Sequence, residues 1–176
     1  SIRGNKPVVV HRAKQEDEIL KKLRKQSASE ILFHHRQPTS TPNYVESTHP
    51  LLVNHASLPY LFYVVHNGII TNAAELQKQH EKNGFVYRTA LTHNVTTREK
   101  TYSWKQFNDS EALAIDFSLT VSKKQAVMAA DGSIAFIALA IDKETRAPVR
   151  LYYGRNYESP LTITDNALGS TIASEG

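Results

Sequence analysis

Residues 60–76 read YLFYVVHNGIITNAAEL, and no other stretch so narrows what this chain can fold into. Leu61, Phe62, Tyr63, Val64 and Val65 form an apolar, β-branched and aromatic run, which predicts a largely buried strand. His66-Asn67-Gly68 follows. Asn-Gly is a strong turn pair because both residues tolerate positive φ, so the strand is expected to end in a tight turn there. Ile69 and Ile70 come next, and then Asn72 with Glu75 three residues on, a capping-box variant that predicts a helix start. A turn at the tip of a buried strand presents backbone N–H groups and the Asn67 amide, which is one way to build an oxyanion hole. A hairpin turn with no chemistry has the same appearance.

Two further stretches bear on that choice. Upstream, Ile31, Leu32 and Phe33 predict another apolar strand, running into His34-His35-Arg36 and a polar loop with Pro38, Thr39, Pro42 and His49-Pro50. Downstream, Phe107-Asn108-Asp109-Ser110-Glu111 predicts a polar helix N-terminus. Three element ends thus offer Arg36, Asn67-Gly68 and Asp109. Between them they can take a carboxylate, an oxyanion and an ammonium group, the three features of a free amino-acid amide undergoing cleavage.

Taken in order, HHRQPTSTP, THP, HNGIITNAAEL, NDSEAL, LYYGRNYESPL and IASEG resemble the class II glutamine amidotransferase domain, an N-terminal-nucleophile hydrolase. The resemblance runs from about residue 30 to the end of the chain. It implies an α+β fold, the four-layer αββα sandwich of those hydrolases, incomplete at the N-terminus, as a single domain over residues 1–176. The implied activity is hydrolysis of glutamine to glutamate and ammonia for transfer to an acceptor. Arg36 would take the α-carboxylate through its planar fork of donors, Asp109 the α-ammonium from an exposed helix start, and Thr39 would complete the substrate-binding set. Asn67 and the Gly68 N–H would be the catalytic oxyanion donors, with Gly68 letting substrate approach the backbone. His49 and His66 match family positions and are read as structural. The resemblance implies no cofactor and no metal, a cytoplasmic location, and glutamine or glutamate as ligand, with other domains or subunits of a larger assembly as partners.

One departure outweighs any single match. The family's nucleophile is an N-terminal cysteine, and this sequence has no cysteine. The strands that would carry a nucleophile into the site are expected to be missing. Ser1 is the alternative nucleophile, since this fold class also accepts Ser or Thr at a freed N-terminus, but Ile2-Arg3-Gly4-Asn5 is not the apolar strand that should follow it. A catalytically inactive amidotransferase-fold module with a structural or binding role is therefore the competing expectation.

Other function classes fare worse. A hydrophobic share of 40% with 22% charged residues suits a soluble globular domain, and no apolar run reaches the length of a membrane span. The net charge of +4 raises nucleic acid as a partner. Its densest source, Lys21, Lys22, Arg24 and Lys25, follows Glu16, Asp17 and Glu18 in an order that suits a helix dipole, so it reads as a solvated helix face. His34, His35, His49, His55 and His66 tempt a metal reading, but their spacing fits no zinc pattern.

The remaining elements follow from periodicity. Residues 7–11 predict a short strand and residues 15–26 an amphipathic helix with Ile19, Leu20 and Leu23 on one face. A helix from Asn72 should close at Asn83-Gly84. Residues 87–106, rich in Thr with lone Tyr102 and Trp104, read as an insertion: a hairpin, a lid or a partner-binding loop. A helix should run from Asp109 to about Lys123. Residues 133–141 predict a strand buried on both faces, with residues 149–153 pairing back as a hairpin. Two short strands, residues 159–163 and 170–173, complete the chain. Residues 31–33, 61–65 and 134–141 are expected as central strands of two stacked sheets.

Overall fold

The computed structural model describes residues 8–12, 16–25, 31–34, 45–157, 159–167 and 169–174. In chain order its elements are α1 (Glu16–Leu23), a 3-10 turn (Val45–Ser47), β1 (Leu51–Val53), β2 (Leu61–Ile70), α2 (Ala73–Lys82), β3 (Leu91–Thr96), β4 (Thr101–Gln106), α3 (Asp109–Val121), β5 (Gly132–Ile141), β6 (Pro148–Arg155), β7 (Thr162–Asn166) and β8 (Gly169–Ala173).

Four strands make one antiparallel sheet in the order β1-β2-β5-β6. Its spine is the β2–β5 pair, ten residues against ten, from Leu61 opposite Ile141 to Ile70 opposite Gly132. The expected turn at Asn67-Gly68 is not there: both residues lie inside β2. Gly68 adopts φ +137, an extended mirror-image conformation open to glycine, so the chain passes through Asn-Gly without reversing. The reversal comes later, after Thr71 donates its N–H to the Asp131 carbonyl at 2.9 Å.

α3 covers one face of the sheet, and α2 packs against α3. α3 is buried from Asp109 through Leu119, because it is pressed between the sheet on one side and α2 on the other. Its apolar side chains meet Phe62, Val64 and Ile70 of β2 and Phe136, Ala138 and Ala140 of β5. At the centre, the Phe117 ring lies edge-on to Phe62 and against Phe136 and Tyr152, with centroids 6.0, 4.9 and 5.3 Å away. Burying a side chain of that size contributes about 1.5–3 kcal/mol.

Helix boundaries follow local chemistry. At the end of α2, Gly84 at φ +82 lets Phe85 N–H reach the His80 carbonyl and Gly84 N–H the Glu81 carbonyl, a Schellman closure. α3 is capped by Asn108, whose side chain accepts the Ser110 N–H, so Asp109 is the first helical residue. The expected capping box at Asn72 does not form. The Asn72 amide donates to the Ala129 carbonyl and its oxygen accepts the Asp131 N–H, which pins the start of α2 to the loop before β5 instead.

Several expectations fail for identifiable reasons. Residues 31–34 form no strand, and Ile31 and Phe33 are 63% and 52% exposed; the strand beside residues 62–64 of β2 is β1. Residues 8–12 form no ladder strand either. Val8 and Val10 lie across Leu61, Tyr63 and Ile141 on the sheet face away from the helices, and Val8 N–H donates to the Arg146 carbonyl. In α1, Leu20 of the expected apolar face is exposed. Residues 87–106 do contain a hairpin, β3–β4, which stands off the core as a separate two-stranded sheet, as does β7–β8. The described residues therefore make an α+β arrangement of one helix layer on one sheet. The second stacked sheet is not formed by them.

Candidate functional site

The site grows out of a mismatch in strand length. β1 pairs only with residues 62–64 of β2, and β2 continues six residues further. Because Thr71 N–H bonds across to Asp131, the odd-numbered residues of β2 turn their backbone groups to β5, and His66, Gly68 and Ile70 turn theirs to the edge that no described strand covers beyond β1. Two of the three meet side chains. The His66 carbonyl is 3.1 Å from His34 Nε2, and Ile70 N–H donates to Asp109 Oδ2 at 2.7 Å. The Gly68 N–H lies on the same edge between them, roughly 6.5 Å along the strand from Ile70.

His66 is turned toward α3. Its Nε2 faces the Ser133 carbonyl at 3.2 Å and its Nδ1 the Ser110 hydroxyl at 2.8 Å. A carbonyl only accepts, so Nε2 carries the proton and Ser110 Oγ–H donates to Nδ1. Burial pushes the His66 pKa down, partly offset by the Ser133 carbonyl and the Asp109 charge, which keeps the ring neutral near pH 7. This Ser–His pair joins residues 44 positions apart, and sequence pattern carries no sign of it. Ser110 is 4% exposed, so its hydroxyl has a structural and not a nucleophilic setting.

The expected residues divide. Gly68 and Asp109 share the β2 edge. Asn67 does not join them, because successive strand residues alternate faces: His66 points to α3, so Asn67 points to the opposite face, where its amide approaches Ser174 Oγ at 3.4 Å. Asp109 is not the exposed helix-start carboxylate anticipated, since it is 8% exposed and engaged with Ile70 N–H. Gly68 has a packing reason to be glycine apart from any ligand. A Cβ there would lie 1.9 Å from the Ser133 carbonyl oxygen of β5. Arg36 and Thr39 lie outside the described residues.

Beside this edge, the His34 and His49 rings lie 4.0 Å apart. His55 instead stacks on Phe85 and bonds Ser57. Among the described residues no group of three or more His, Asp or Glu side chains is arranged to hold a metal ion, and no helix is long and apolar enough to cross a membrane.

Two buried carboxylates escaped the sequence reading. Glu111 accepts Arg88 N–H, Thr89 N–H and the Thr89 hydroxyl at 2.8, 2.9 and 2.6 Å, and burial pushes its pKa up against those bonds. Asp116 accepts Ala129 N–H, Ala130 N–H and the Gln125 amide. Both sit within the apolar α3, where a lone acid is the only available signal. Comparisons with known protein families, with curated proteins and with solved structures find no match.

Proposed function

We propose that this chain is a class II glutamine amidotransferase-like domain that recognises glutamine or glutamate and does not itself cleave the amide. The observation that carries this reading is the shared edge: the Gly68 N–H and the Asp109 carboxylate, distant in sequence, lie on one stretch of β2 that no described strand pairs with. The ordered run of motifs from Arg36 to the chain end supports it, with Arg36 and Thr39 as further ligand contacts and the Gly68 N–H as the oxyanion donor; Asn67, on the opposite face, is left out of the site. Amide cleavage by this route needs an activated nucleophile about 3 Å from the carbonyl, and the sequence contains no thiol. Binding is separable from cleavage because Arg36 and Asp109 address the amino-acid end of the ligand.

A second reading is an amidotransferase-like module with a structural role in an assembly. It is favoured by the internal use of the same polar groups, Asp109 for Ile70 N–H and Asn67 for Ser174 Oγ. Calorimetric titration with L-glutamine and an ammonia assay separate the two. The first reading expects saturable binding lost in Arg36→Ala and no ammonia release; absence of binding leaves the structural role.

A further inference from the structure

The four-stranded sheet ends on β6, and no described strand pairs with the outer edge of that strand. The odd-numbered residues of β5 turn their backbone groups to β2, so its even-numbered residues turn theirs to β6. Phe136 stands opposite Gly154 and Ala138 opposite Tyr152, so the even-numbered residues of β6 answer them. The Asn156 N–H, donated to the Ile134 carbonyl at 2.9 Å, continues the same alternation. Leu151, Tyr153 and Arg155 therefore point three N–H and three C=O groups away from the sheet.

The same three residues share a face. Tyr152 reaches Phe117 on the helix-covered side, so Leu151, Tyr153 and Arg155 put their side chains on the other side. All three are exposed there, Leu151 by 42% and Tyr153 by 51%. Edge strands are commonly blunted by proline, a bulge or charge. On β6 the proline, Pro148, and the register shift opposite Ala140/Ile141 are confined to the start of the strand, and a regular ladder runs on to Arg155. Its charges are of one sign, Arg150 and Arg155, with no acid in the strand. Neither arginine has an ion-pair partner among the described residues, and Arg150 lies over the Tyr152 ring, 5.9 Å from its centroid. A second copy of β6, paired antiparallel, would bring two arginines from each strand and no carboxylate to one seam. An acidic strand meets attraction there instead. The β3–β4 and β7–β8 hairpins also have open edges, but only β6 is held in the core sheet, so a strand added to it orders less of the chain.

We propose that β6 takes up an extended acidic segment of a partner protein as a further, antiparallel strand of this sheet. The register sets the chemistry of that segment as acid-x-apolar-x-apolar-acid. Its first carboxylate lies opposite Arg155, its apolar residues opposite Tyr153 and Leu151, and its last carboxylate opposite Arg150. Main-chain bonds to residues 151, 153 and 155 supply the affinity, and the alternating side chains supply the selectivity.

Amide hydrogen exchange followed by NMR on the full chain tests this with two end-blocked peptides, Glu-Thr-Val-Thr-Val-Glu and its counterpart with lysine at both ends. With the glutamate peptide at about ten times its dissociation constant, the Leu151, Tyr153 and Arg155 amides should exchange about tenfold more slowly, by mass action. The Tyr152 and Gly154 amides, already bonded to β5, should change far less. The lysine peptide should bind about fivefold or more weakly, because two attractive pairs turn repulsive. In Arg150→Glu/Arg155→Glu that preference should reverse. No saturable slowing at the three amides overturns the proposal. So does equal slowing across residues 150–155, or equal affinity for the two peptides. Slowing of the same amides on raising the protein concentration without peptide also overturns it, and gives the edge to a second copy of the chain. L-Glutamine should leave all three amides unmoved, so this edge and the β2 edge fail independently.

Discussion

Asp109 Oδ2 accepts the backbone N–H of Ile70 at 2.7 Å, tying the first residue of α3 to the last residue of β2 across 39 positions of sequence. The bond satisfies a donor that β1 is too short to reach. Asp109→Ala leaves that donor buried and unpaired, and we expect a loss of about 1–3 kcal/mol in urea unfolding. Asp109→Asn keeps an acceptor in place and should lose well under half as much. Equal losses in the two variants would show that the charge, not the acceptor, holds the junction.

The buried histidines set a pH dependence. His66 and His80 are both held below their ordinary value of 6.5, chiefly by burial. Above about pH 6.5 neither state of the chain protonates them, and their full contribution to stability is present. As pH falls toward their folded-state values, the unfolded chain takes up protons that the folded one refuses, and that contribution is lost. Glu111, raised by burial, acts with the opposite sign: its contribution is present below about 4.5 and lost as pH rises through its folded value. The urea midpoint should therefore drop between pH 7.5 and 5.5, and less steeply in a His66→Gln/His80→Gln double variant. A pH slope identical in the parent and in the double variant contradicts the burial of the two rings.

Gly68→Ala places a methyl group 1.9 Å from the Ser133 carbonyl oxygen at a φ of +137. Strand β5 must move or the β2–β5 ladder must break, at a cost of about 3 kcal/mol or more. Thermal unfolding measures it. A variant with near-parental melting would mean that the two strands have slack between them at this point.

Phe117→Ala opens a void among Phe62, Phe136 and Tyr152, where the expected loss is about 3–5 kcal/mol. Trp104, half exposed in β4 and stacked on His93, should cost less than about 1 kcal/mol on truncation to Ala. Comparable losses would place the β3–β4 hairpin in the cooperative core.

Apolar periodicity made the scaffold legible: β5, β6, α2 and α3 appear where hydrophobic runs predict them, and β2 begins where predicted and runs on to Ile70. Turn chemistry misled at Asn67-Gly68, because the positive φ that suits Asn-Gly to turns also allows Gly68 to cross a strand closely. Residues 31–33 carry the apolar signal of a strand and form none, while β1, three residues long, is too short for periodicity to mark. At the site, Gly68 and Asp109 could be singled out from sequence. That Asn67 faces away could not be, since it depends on the strand continuing and so on the alternation of its side chains.

If the edge of β2 at Gly68 holds a glutamine-class amino acid, as we propose, backbone amide chemical shifts during a titration read it directly. With L-glutamine, the Gly68 and Ile70 N–H resonances should shift saturably and together, D-glutamine should leave them in place, and no ammonia should accumulate. Shifts absent from Gly68, or confined to residues away from the β2 edge, would contradict this reading.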